Sequence, residues 1–339
     1  MELDQFKWTD VRQLGVLGKG WTDTESPYDR LPARAKGVVR DNVWNLSHHA
    51  AGLRVHFVTD SPLIGADWSL LNETFHLEKA SFIGANGLDL YVRHQGSWHW
   101  LSVATSDTPP VRNRRLLLRE MLPGSHEYML YLPLTNSVGS FSLGITPGSR
   151  LSKPAPQPGK PICFYGTSIV HGQCACRPGM TYAAILGRRL DRPHLNLGFA
   201  GNGRMEPEIA RLLAELDPCV YVLDALPNLL IPEVTECVEP FIRILRESRP
   251  DTPILLVESI YYPDSPFINT SLRDYTERNV AGRAAYRRLL DAGVTGLHYV
   301  PWDRLLGDDG EATCDGCHPT DLGYMRFADA LEPFLKPLV

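Results

Sequence analysis

The sequence predicts two architectures in one chain: a β-sandwich or jelly-roll over residues 1–150, and an α/β domain with a parallel sheet over residues 160–339. Three observations carry this. The stretch TPGSRLSKPAPQPGKP, residues 146–161, holds five prolines and two glycines in sixteen positions. Proline has no N–H for a helix or central strand, so the stretch reads as an extended linker. Before it, short apolar runs are separated by turn residues; after it, apolar strands alternate with amphipathic helices.

In the first part, RVHFVTD (54–60), GLDLYVR (87–93), WHWLSVA (98–104), EYMLYLPL (127–134) and SFSLGI (140–145) are alternating or rich in aromatic and β-branched residues. GANG (84–87) and PGSH (123–126) punctuate them. Many short strands with such turns predict an all-β sandwich. In the second part, ICFYG (162–166), HLNLG (194–198), CVYVLDAL (219–226), PILLVES (253–259) and LHYVP (297–301) read as strands. Helical periodicity predicts helices over 181–190, 206–216, 233–248, 275–292 and 322–335. Near-continuous apolar strands alternating with helices imply a parallel sheet covered on both faces. Ligands of such sheets bind beyond the C-terminal ends of the strands.

Those strand ends carry four signals in order. Ser168 follows the first strand, in Gly166-Thr167-Ser168-Ile169. An N-cap serine is the plain alternative. Gly201 follows the second, in a glycine-rich turn where a backbone N–H can approach a ligand oxygen because no Cβ intervenes. Asn228 follows the third; its side-chain amide could donate to an oxyanion, and a turn asparagine is the plain alternative. Asp315 and His318 lie between the fifth strand and the last helix. Their offset of three lets the carboxylate reach the imidazole, fix its tautomer and leave Nε2 to take a proton from serine. Each signal alone is weak. Their joint order predicts nucleophilic acyl transfer, with Ser168, Asp315 and His318 as the triad and the Ser168 N–H, Gly201 N–H and Asn228 amide as the oxyanion hole. His171 is a rival base, three residues after Ser168 but with no acidic partner nearby in sequence. Asn202 and Arg204, with Glu206, flank the glycine turn and are candidates for binding substrate hydroxyls. The segment 261–273 is a candidate cap over the site.

These residues resemble the four sequence blocks of the SGNH, or GDSL-like, hydrolases. Ser168 matches the nucleophile, Gly201 and Asn228 the glycine and asparagine, and Asp315 with His318 the last block. GTSIVHGQCACRPGMTYAAILG and NLGFAGNGRMEPEIA are similar to the subgroup of acetylxylan and other carbohydrate esterases. GLDLY (87–91) resembles a GxDLY-type β-domain that precedes some members. The resemblance implies a flavodoxin-like three-layer α/β/α catalytic domain and a serine esterase acting on short acyl groups, acetyl foremost, of carbohydrate hydroxyls. Two positions depart from the pattern: Thr167 stands where the family has Asp, and Asn228 follows Leu-Pro rather than a Gly-x pair.

The alternatives are a lysophospholipase- or thioesterase-type lipid esterase and a catalytically silent sugar-binding protein. No Met- or Leu-rich loop flanks the motifs to build an apolar trough, and the complete triad argues against silence. The mechanism calls for no metal and no organic cofactor. Of the seven cysteines, Cys174/Cys176 and Cys314/Cys317 are close pairs; only the second has knuckle-like spacing, and it brackets Asp315, so packing thiols are expected rather than a zinc site. Net charge is −5 with no basic run or basic-aromatic stripe, which excludes nucleic acid as the expected partner. No apolar run is long enough to span a membrane. The odd cysteine count and an N-terminus without a leader pattern lead to an expected cytoplasmic setting. A homo-oligomer stays open.

Overall fold

The computed structural model describes residues 3–73 and 80–339. The chain forms two compact units, neither of them one contiguous stretch. One comprises Met1–Arg34, Asn45–Gln157 and Cys176–Gly179; the other comprises Ala35–Trp44, Pro158–Ala175 and Met180–Val339.

The first unit is built from antiparallel strands: β1 (Lys7–Asp10), β2 (Val16–Leu17), β3 (Arg54–Thr59), β4 (Ile64–Leu70), β5 (Leu88–His94), β6 (Ser97–Ala104), β7 (Val111–Leu118), β8 (His126–Tyr131), β9 (Val138–Ile145) and β10 (Leu151–Ser152). Helix α1 (Asp41–Ser47) starts in the second unit's Ala35–Trp44 stretch and ends in this unit; α2 (Phe82–Asn86) precedes β5. One sheet has the order β1-β9-β4-β7; the other runs β10-β3-β8-β5-β6, with β2 beside β3. Both sheets contribute to one core, in which Phe57, Trp68, Leu90, Tyr128 and Phe141 are buried. This is an antiparallel β-sandwich, as the punctuated short strands predict. The proline-rich stretch is less free than its composition suggests. Its residues Leu151 and Ser152 pair with β3, and Gln157 accepts a hydrogen bond from Arg54 at 3.4 Å.

The second unit contains β11 (Ile162–Gly166), α3 (Ser168–His171), α4 (Tyr182–Arg189), β12 (His194–Gly198), α5 (Pro207–Glu215), β13 (Val220–Asp224), α6 (Ile231–Ser248), β14 (Ile254–Val257), α7 (Asn269–Asp291), β15 (Leu297–Val300) and α8 (Asp321–Leu335). The strands pair in parallel in the order β12-β11-β13-β14-β15. That is the 2-1-3-4-5 order of flavodoxin-like sheets, with a switch point between the first and third strands. Every residue of β11, β12, β13 and β14 is buried, as a sheet covered on both faces requires. Helix α6 buries Val234, Val238, Phe241, Ile242 and Leu245, a single stripe at helical spacing. α4 packs with α8, whereas α5, α6 and α7 pack in a row. α7 begins at Asn269, so the end of the expected cap segment 261–273 is helical. No helix among the described residues is long and apolar enough to cross a membrane.

Candidate active site

The C-terminal ends of β12, β11 and β13 stand side by side, with Gly166 paired to Gly198 on one side and to Asp224 on the other. Their following loops therefore share one edge of the sheet. After β11 the chain turns at once into α3. The N-cap of this short helix is Thr167, whose hydroxyl accepts the Ile169 N–H at 3.2 Å. The capping role that Ser168 could have filled is thus taken by its neighbour. Ser168 becomes the first helical residue, and its own N–H has no hydrogen-bond partner among the described residues, as first-turn N–H groups do not within a helix. α3 is braced from α8, where the Tyr324 hydroxyl reaches the carbonyls of Ile169 and Gln173 at 3.2 and 2.7 Å.

Ser168 Oγ lies 2.9 Å from His318 Nε2, and His318 Nδ1 lies 2.8 Å from Asp315 Oδ2. The loop that carries both residues closes on itself. Thr313 bridges Pro319, and the Cys314 N–H donates to the His318 carbonyl at 2.9 Å. Asp315 Oδ1 also accepts the N–H groups of Cys317 and His318, at 3.0 and 2.7 Å. Partial burial pushes the Asp315 carboxyl up, but the backbone N–H and imidazole of His318, with the Cys317 N–H, outweigh it and hold it well below the usual carboxylate range. An ionised Asp315 keeps the proton of His318 on Nδ1. Nε2 is then an acceptor for the Ser168 hydroxyl, the arrangement needed to make serine a nucleophile.

The loop after β12 is drawn tightly against the first strand. Phe199 N–H donates to the Gly166 carbonyl at 2.9 Å, and a Cβ on Gly203 would lie 2.0 Å from that same oxygen. Gly201 has φ +68°, a left-handed conformation that favours glycine, and its N–H has no partner among the described residues. Asn228 ends the 3-10 turn Leu226–Asn228 after β13. One orientation of its amide gives a single long bond, 3.5 Å to the Phe199 carbonyl. The other gives two, its oxygen accepting the N–H groups of Asn202 and Gly203 at 3.1 Å each. The second turns the oxygen towards donors, which it shares with the Phe199 carbonyl, and is the one hydrogen bonding selects; it leaves the Asn228 N–H₂ group free to donate elsewhere.

Other expected residues have different surroundings. His171 is fully buried, and its Nδ1 accepts the Ala200 N–H at 3.4 Å, while Ser168 Oγ is bonded to His318. Arg204 is exposed, without a hydrogen-bond or ion-pair partner among the described residues. Asn202 and Glu206 are engaged within the unit, by a residue that sequence reasoning missed. Arg40 donates from Nε to Glu206 Oε1 at 2.5 Å, from Nη1 to Asn202 Oδ1 at 2.7 Å and from Nη2 to the Asn202 carbonyl at 2.8 Å. Nothing local in the sequence marks it. The cysteines are all free thiols, and among the described residues no cluster of three or more histidine, cysteine or acidic side chains could hold a metal.

A 2-1-3-4-5 parallel sheet thus carries a hydrogen-bonded Ser–His–Asp row beyond the C-terminal ends of its strands, an arrangement chemically capable of nucleophilic acyl transfer. Residues 159–336 match the sequence profile of the GDSL-like lipase/acylhydrolase family, and residues 6–151 match that of the N-terminus of Esterase_SGNH_hydro-type proteins. The chain belongs to the GDSL-like lipase/acylhydrolase family. Among solved structures it is similar to a protein named as a GDSL-like lipase from Bacteroides ovatus, at 30% identity over 98% of both chains with a TM-score of 0.94. It also shares its fold with the salicylyl-acyltransferase SsfX3 of a tetracycline biosynthetic pathway, at 21% identity, 98% of both chains and TM-score 0.77. A family two carbohydrate esterase from Cellvibrio japonicus shares the fold at 12% identity, 98% of both chains and TM-score 0.65. No curated protein matches the sequence.

Proposed function

We propose that the protein is a serine esterase that hydrolyses short acyl esters, acetyl esters foremost, of carbohydrate hydroxyls. The observation that carries the esterase reading is the continuous row Ser168–His318–Asp315, with contacts of 2.9 and 2.8 Å. In this reading His318 takes the Ser168 proton as Oγ attacks the ester carbonyl. The negative charge that develops on the carbonyl oxygen is met by the Ser168 N–H, the Gly201 N–H and the Asn228 amide. The tetrahedral centre collapses, and the alcohol leaves with the proton from His318. Water, deprotonated by His318, then attacks the acyl-serine ester and releases the carboxylic acid. No step calls for a metal or cofactor.

Two observations support the substrate class. The motif-flanking sequences resemble those of carbohydrate esterases, and proteins named as such share the two-unit fold along nearly the whole chain. The N-terminal strand orders, β1-β9-β4-β7 against β3-β8-β5-β6, support reading that unit as a jelly-roll, an architecture common among sugar-binding domains. A cytoplasmic setting would make the substrate an acetylated oligosaccharide or small acylated metabolite.

The test is hydrolysis of 4-nitrophenyl esters of rising chain length by wild type and Ser168→Ala, alongside acetate release from acetylated xylo-oligosaccharides. Ser168→Ala should lose nearly all turnover while keeping its fold. A kcat/KM that climbs steadily from acetyl to octanoyl would replace the deacetylase reading with a lipid esterase, because a pocket that gains from each methylene must bury the chain. Ester formation on an added alcohol that outpaces acid release would make the protein an acyltransferase.

A further inference from the structure

We infer that Arg40, 162 residues before the loop it contacts, is a positioning residue for the oxyanion hole. The inference rests on the esterase reading and adds a component to its site. The loop that carries Gly201 is closed by the Asn202 and Gly203 N–H groups, which donate to the Phe199 carbonyl at 2.8 and 2.9 Å, but at Gly201 itself the N–H has no such tie among the described residues. Gly201 and Gly203 flank Asn202, and nothing lies within 4 Å of where a Gly201 Cβ would be. Glycine has the widest backbone freedom, so a loop of this kind needs an external brace to hold an N–H in one place.

Arg40 supplies that brace through all three of its nitrogens. It grips Asn202 by both the side-chain and the main-chain oxygen, and Glu206 at the start of α5 by a carboxylate oxygen. The grip is transmitted onward. The N–H groups of Asn202 and Gly203, which the Phe199 carbonyl accepts at 2.8 and 2.9 Å, are shared with the Asn228 oxygen at 3.1 Å each. The direction of the Asn228 N–H₂ group, and the place of the Gly201 N–H one residue before Asn202, therefore both depend on where Asn202 sits. A planar fork with directed donors suits this task; an ammonium offers a single point charge on a flexible stem and cannot reproduce the three contacts together. The Arg40 side chain is 39% exposed, and exposed ion pairs add little to stability. Its loss should register in turnover rather than in folding.

The experiment uses the full chain with 4-nitrophenyl acetate as probe and compares wild type, Arg40→Ala, Arg40→Lys, Asn228→Ala, the Arg40→Ala/Asn228→Ala double variant and Ser168→Ala. Arg40→Ala should lower kcat about 10- to 100-fold, less than the ~10²–10³-fold loss of a whole oxyanion donor. KM should stay within about threefold, since the donors act mainly in the transition state. Arg40→Lys should recover only part of the loss. The double variant should lose less than the product of the single losses, because Arg40 acts partly through the Asn228 amide. A wild-type kcat in Arg40→Ala, or strictly multiplicative losses in the double variant, would overturn the inference. Should Arg40→Ala fail to fold, a wild-type kcat in Arg40→Lys overturns it equally. Full activity in Ser168→Ala sinks the esterase reading instead, and the two failures are told apart by that one variant.

Discussion

Asp224 and Asp315 belong to the same unit, and their surroundings drive them in opposite directions. Asp315 is met by two backbone N–H groups and an imidazole, and is held well below the usual carboxylate range despite the opposing pull of burial. Asp224, the last residue of β13, is fully buried. Burial raises its pKa to about 7, only partly countered by the Tyr182 hydroxyl, which donates to Oδ2 at 3.0 Å. Its Oδ1 has no hydrogen-bond partner among the described residues. The lesson is that a carboxylate near a sheet edge is a usable charge only where donors are supplied. Loop 313–319 supplies them from its own backbone; at the strand end of β13 the backbone pairs within the sheet, and the Asp224 carbonyl accepts the Thr167 N–H at 3.1 Å.

The contrast can be broken from either side. The largest effect belongs to the group that Asp315 serves: His318→Ala should lower kcat on 4-nitrophenyl acetate by ~10⁶-fold, as loss of the base does in other serine hydrolases. A variant with near-wild-type kcat would move the base elsewhere, and His171 would be the first place to look. Next comes Asp315→Asn, which keeps the shape but removes the charge that stabilises imidazolium; kcat should fall by ~10⁴-fold. The same kcat in Asp315→Asn and wild type would mean the low pKa serves the loop and not the reaction.

Stability should separate the two aspartates further, with opposite signs. A depressed native pKa contributes stability above the unfolded carboxylate value, about 4, and that stability is lost as pH falls below it. Asp315→Asn should therefore lower Tm at pH 7, by an amount that shrinks below about pH 4. A raised native pKa does the reverse: the penalty is absent below about pH 4, grows as pH rises towards 7 and is constant above it. Asp224→Asn keeps an acceptor for Tyr182 and should leave Tm unchanged at pH 4 while raising it at pH 8, by about 2–4 °C for each kcal/mol recovered. Scanning calorimetry of both variants across pH 2.5 to 8.5 checks this. Parallel shifts of the same sign would mean that the two sites differ in packing rather than in charge.

What the sequence made legible follows the range of the interactions. Asp315 and His318 could be paired on paper because three residues separate them, and the strands of the parallel sheet were visible because burial on both faces writes them as apolar runs. Two long strands of the sandwich were not visible. β7, VRNRRLLL, begins so basic that it reads as a loop, and β4, IGADWSL, carries an aspartate at its centre. The structure explains both at once: Asp67 is buried at the strand pair and accepts from Arg112 at 2.7 and 2.9 Å and from Arg114 at 3.0 Å. Charges that cancel across a ladder look like solvent-facing residues when each strand is read alone. Arg40 escaped for the same reason at greater distance. Its partners are 162 and 166 positions away, and no local pattern sets it apart from other arginines.

The interleaving of the two units also sets an order of events during synthesis. Residues 35–44 leave the ribosome early but belong to a unit that otherwise starts at Pro158, and the β-sandwich in turn takes in Cys176–Gly179. At the usual 5–20 residues per second, Asn202 is made roughly 8–30 seconds after the Arg40 that will grip it. During that interval the guanidinium lacks its Asn202 and Glu206 acceptors, and the segment Cys176–Gly179 arrives only after residue 157. A catalytic fragment cut at the proline-rich stretch would therefore lack Arg40.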